Sequence, residues 1–104
     1  MAFKSWSAVT VSSSGTTIAD SASGTIIVIS TVISNPSNAD AQVVVTITDS
    51  SDIDKFVFYI DLLEGDSPFA MDTRMVIEGG DKLKVASDNS EVCVWMSGDQ
   101  ETTT

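Results

Sequence analysis

The chain has 104 residues, 42% hydrophobic and 19% charged, which fits one domain with its own core and excludes a disordered polypeptide. Fifteen carboxylates against five cations give a net charge of −10, which repels nucleic acid and anionic membrane and removes both as expected partners. Histidine is absent and Cys93 is the sole cysteine, so no intramolecular disulfide, no Ser-His-Asp or Cys-His nucleophile and no Cys/His zinc site can be assembled.

From the start of the chain, Met1 to Trp6 holds one cation and no apolar stretch, so it does not read as a signal peptide. No segment approaches the ~18 apolar residues of a membrane span. The expectation is a soluble protein made in the cytoplasm. Two-residue periodicity then predicts strands near 6–12, 15–19, 25–34, 42–49, 55–64, 71–78, 82–87 and 91–97. Val43, Val45 and Ile47 alternate with Val44, Thr46 and Thr48, and Leu83 and Val85 alternate with Lys82 and Lys84. Thr25 to Ile33 and Phe56 to Leu63 are apolar on both faces and read as central strands covered on both sides. The β-branched load works against helix throughout.

Turn signals separate these runs: Ser12 to Gly15, Ser23-Gly24, Asn35 to Asn38, Asp49 to Asp52, Glu64 to Pro68, Gly79 to Asp81 and Ser87 to Ser90. Gly79-Gly80 is the sharpest, because glycines supply the positive φ of a tight hairpin. About eight short strands without helices imply an all-β fold, a single antiparallel β-sandwich of jelly-roll or immunoglobulin-like type. It spans 1–97, and 98–104 form a polar C-terminal tail, loose or docked on a neighbour. The first 52 residues are rich in Ser and Thr and carry one cation and four carboxylates, against four and eleven in the remainder. That contrast suits a first half facing another protein, or equally a solvated Thr-rich sheet face.

Three groups of residues are candidate sites. Asp49, Asp52 and Asp54 place three carboxylates on one loop and could ligate Ca²⁺, although the spacing is not that of an EF-hand and Asx side chains stabilise turns without an ion. The reading adopted is a turn, with no catalytic residue, no metal and no cofactor. Phe3, Trp6, Val92, Val94 and Trp95 are the interface candidates, because the first and last strands read as weakly charged sheet edges that a neighbouring subunit would cover. Phe56 and Phe58 share a parity and read as core, whereas Tyr59 and Trp95 read as edge or rim residues. Cys93, inside Val92 to Met96, reads as a buried, inert thiol.

The order Ile33-Ser34-Asn35-Pro36, Val43 to Ile47, Tyr59-Ile60-Asp61, a loop with Pro68, then Met75-Val76-Ile77-Glu78-Gly79-Gly80-Asp81-Lys82-Leu83-Lys84-Val85 resembles the small β-sandwich structural proteins of tailed bacteriophages. The resemblance covers about 25–97, and the Ile77 to Val85 segment carries most of it. It implies a non-enzymatic virion protein, assembled in the host cytoplasm, of the capsid-decoration (cement) kind that oligomerises and stabilises the shell. The implied partners are the major capsid protein or other virion proteins, and further copies of the chain as a homo-oligomer, with a trimer favoured. The alternative is a tail or baseplate accessory, or a host-glycan-binding adhesion module using exposed aromatics.

Overall fold

The expected strands form, the first shifted from 6–12 to Ala2–Ala8, in the structure, a computed structural model covering residues 2–8, 10–62, 69–71 and 74–101. The segments are β1 (Ala2–Ala8), β2 (Thr16–Asp20), β3 (Ile26–Ser34), β4 (Ala41–Thr48), β5 (Asp54–Leu62), β6 (Phe69–Met71), β7 (Met75–Ile77), β8 (Lys82–Ser87) and β9 (Cys93–Gln100). The helical content among the described residues is one 3₁₀ turn, Ser21–Ser23, opened by Asp20, whose side chain accepts from the Ala22 N–H. The expected Glu64 to Pro68 turn lies outside the described residues, as does the end of the expected tail.

β6 and β7 lie in line along one edge of β3, facing Thr31–Ile33 and Ile26–Val28 respectively. Taken as the two halves of one strand, they complete eight strands in two four-stranded antiparallel sheets packed as a sandwich. The first sheet runs β1-β9-β3-β6/β7 and the second β2-β8-β4-β5. These orders are those of a long hairpin, pairing β1 with β9, β2 with β8, β3 with β6/β7 and β4 with β5, rolled up until β9 meets β3 and β8 meets β4. That is the jelly roll, and of the two sandwich types expected from the sequence it is the one formed.

Rolling sets which strands are central. β9 is paired on both sides, with β1 and with β3, so the expectation that it is an edge is corrected. It also runs to Gln100, three residues past the expected domain boundary, and Gln100 is buried with its side-chain amide donating to the Gly24 carbonyl at 3.4 Å. β5 is corrected in the opposite sense: expected as a covered central strand, it is the outer strand of the second sheet. Gly79 and Gly80 have the positive φ expected (69° and 87°), and the Asp81 N–H closes their turn onto the Glu78 carbonyl at 3.2 Å. That turn carries the chain from one sheet to the other rather than joining a hairpin, since β7 pairs with β3 and β8 with β2 and β4.

The core lies between the sheets. Ile26, Val28 and Ile33 of β3, Val43 and Val45 of β4, Leu83 and Val85 of β8, and Val94 and Met96 of β9 are all buried. Each comes from the inward parity of its strand, and full burial of such a side chain contributes roughly 1.5–3 kcal/mol. One end is closed by a polar knot. Asn35, 1% exposed, donates to the Ala39 carbonyl and accepts from the Ser37 hydroxyl, and Asn89 donates to that same hydroxyl at 2.7 Å.

Candidate functional site

The two outer sheet faces differ in charge. On the second sheet, Lys82 and Lys84 project from β8 with Asp20 beside them on β2, and Asp54 and Asp61 lie on β5. Asp52, from the β4–β5 turn, bridges both lysines, at 2.8 Å from Lys84 Nζ and 3.3 Å from Lys82 Nζ. The Lys84 hydrogen bond first, and Lys82 second, hold the Asp52 carboxyl below its ordinary value. A hollow of about 290 Å³ lies beside this cluster, among Thr46, Thr48, Asp52, Asp54 and Lys84. Its Asp52 is kept ionised and already paired, a state suited to fixing the turn rather than to moving a proton at neutral pH.

The expected carboxylate loop is therefore a built turn. Asp49 Oδ1 accepts from the Ser51 and Ile53 N–H groups at 2.8 and 3.0 Å, and Asp52 occupies the left-handed region at φ 64°. Asp49, Asp52 and Asp54 are not gathered around a common point: among the described residues no group of three potential ligands could hold a metal ion.

Within its described strands, the outer face of the first sheet carries little charge. Its rows, read across β1, β9, β3 and the outer edge, are Phe3-Asp99-Ile27-Val76, Ser5-Ser97-Ser30 and Ser7-Trp95-Val32-Ala70. Asp99 is the one carboxylate among these residues. Phe3 is 88% exposed, Trp95 54% and Val76 55%. Beside Trp95 lies a shallow hollow of about 230 Å³ bordered by Ser7, Val32, Ser34 and Cys93. Cys93 is half-buried on this outer face, not sealed in the core as expected.

Of the five interface candidates, the structure places Phe3 and Trp95 on this face, two rows apart with Ser5 and Ser97 between them. Trp6, opposite Met96, packs against the core, and Val92 and Val94 are fully within it, so these three are corrected to core positions. The reason is parity: Val94 and Met96 point inward along β9, and Val92 just before it is buried too, leaving Cys93, Trp95 and Ser97 outside.

A second exposed apolar group lies on β5 and its entry: Tyr59 at 67% exposed, read as a rim residue from the sequence, with Ile53 at 64%, Phe56 at 55% and Val57 at 38%, which were not. Phe56 is corrected from core to surface, while Phe58 is half-buried against the core with its ring centroid 5.7 Å from that of Phe56. Asp54, Lys55 and Asp61 inside this apolar run were the available signal, since charges within a hydrophobic strand mark an edge. No helix among the described residues is long and apolar enough to cross a membrane. No protein-family model, curated protein or solved structure matches the chain.

Proposed function

We propose that this jelly roll is a non-enzymatic structural subunit of a tailed-phage virion, of the capsid-decoration kind, that seats the outer face of its first sheet on shell protein. The observation carrying this reading is that face: Phe3, Trp95 and Val76 exposed among serines, with Asp99 as the lone carboxylate in its described rows, on a molecule of net charge −10. A surface depleted of charge and enriched in aromatics has the composition of an interface core. Carboxylates on the opposite sheet, Asp20, Asp54 and Asp61 among them, hold free copies apart in solution and can seat on basic patches around the docking site.

The test is to add purified protein to particles lacking it and to image them by cryo-electron microscopy. Hundreds of copies on the shell, lost with Trp95→Lys, support the proposal. A few copies at the tail place the protein among tail accessories, and no binding to any part of the particle overturns the reading. The hollow beside Trp95, with Ser7 and Ser34 at its border, is the feature a glycan-binding module would use. Glycan-array binding abolished by Trp95→Ala would favour that second reading.

A further inference from the structure

We propose that β5 pairs antiparallel with β5 of a second copy about a two-fold axis, joining two four-stranded sheets into one of eight strands. β5 is an outer strand nine residues long, and Phe56, Val57 and Tyr59 expose apolar surface along it. Its charges decide the occupant. In the register that sets Phe58 opposite Phe58, Phe56 to Ile60 pair regularly, and Lys55 of each copy, at the bulge beyond them, comes beside Asp61 of the other. Val57 then meets Tyr59 and Phe56 meets Ile60, so apolar residues face apolar residues between the charged pairs.

No other register does this. Sliding by two residues, the smallest step that keeps like faces together, sets Lys55 against Tyr59 in one direction and Asp61 against Val57 in the other. Longer slides end with Lys55 against Lys55 or Asp61 against Asp61. The other described outer strands lack this self-complementarity: β1 carries Lys4 alone, β2 Asp20 alone, and β6 and β7 no charge. Lys55 is the extra residue of the bulge opposite Ile47 and Thr48, half-exposed and 2.7 Å from Asp81, and its long stem can reach a carboxylate across the axis.

Pairing of one strand with itself closes at two copies, so the trimer expected from the sequence would need a different surface. The proposal does not depend on what the first sheet docks against. It is tested by analytical ultracentrifugation of the wild type and of Lys55→Asp and Asp61→Lys, each of which sets like charges opposite one another. Wild type should dimerise, and each variant alone should associate about tenfold more weakly or worse. An equal mixture of the two variants should recover wild-type association. At one end of the shared strand pair the introduced carboxylate then meets the introduced ammonium, and at the other the unchanged Asp61 meets the unchanged Lys55. Both positions are on the surface, and Tyr59→Lys, at a site 67% exposed, gives a further folded variant that should remain monomeric. A wild type still monomeric at about 1 mM, variants that dimerise as it does, or a mixture no better than its parts overturns the proposal.

Discussion

Gly98 has no room for a side chain. A Cβ there would lie 2.0 Å from the Ile27 carbonyl oxygen, where β9 passes the irregularity in β3 between Val28 and Ser30. Gly98→Ala must push two central strands apart, and a loss of about 2 kcal/mol is expected from urea unfolding. Thr31 is the opposite case: 3% exposed and facing Met96, its hydroxyl has no hydrogen-bond partner among the described residues. Thr31→Val removes a buried hydroxyl while keeping the branched shape, and should stabilise the fold by about 1 kcal/mol in the same experiment. Asp52 contributes to the acid limb of stability. Its folded pKa lies below the ordinary 3.8, so its contribution is present above that value and is lost as pH falls through the folded one. Lys55 is the reverse: Asp81 raises it above 10.5, so its contribution holds below that value and is lost as pH rises through the folded one. Asp52→Asn, which tolerates the same positive φ, should lower the melting temperature at neutral pH and flatten its fall below pH 3.8.

Among the elements, β9 and β5 show what the sequence discloses and what it withholds. Alternation located nearly every strand, because side chains on successive residues face opposite ways whatever the partner. Rank within a sheet depends on pairing between distant segments, and the apolar length of Phe56 to Leu62 suggests a centre until the charges at Asp54, Lys55 and Asp61 are given their weight. The same holds at Gly79-Gly80, whose backbone follows from glycine while its role as a passage between sheets follows from the roll. Phe3 and Trp95 could be named as surface anchors from composition, but separating Trp95 from Val94 needed the parity set by Met96 facing inward. The two substitutions therefore part company. Val94→Lys buries an unpaired ammonium and should unfold the protein, since the cost is several of the roughly 5–15 kcal/mol available. Trp95→Lys, at an exposed position, should leave the melting temperature within about 2 °C and act on docking alone. Circular dichroism with thermal melts distinguishes them.

For the whole molecule, charge opposes association. Two copies meeting through β5 each bring a net charge of −10, spread well beyond the Lys55–Asp61 pairs. Added salt screens the long-range repulsion more than the close pairs, so dimerisation should strengthen between roughly 10 and 150 mM salt. Weakening over that range would show that attraction between ion pairs dominates instead. The roll also determines how the molecule bears load. Ala2 lies opposite Gln100, so the first and last strands end side by side and the β1–β9 pair opens from that point. A pull applied at those two ends would part the hydrogen bonds of the pair one after another, as a zipper opens, at low force. A pull delivered across the sheets meets many bonds at once. In the proposed shell-bound role, tension must therefore enter through the faces and edges of the sandwich and not through the Ala2 and Gln100 ends of this strand pair.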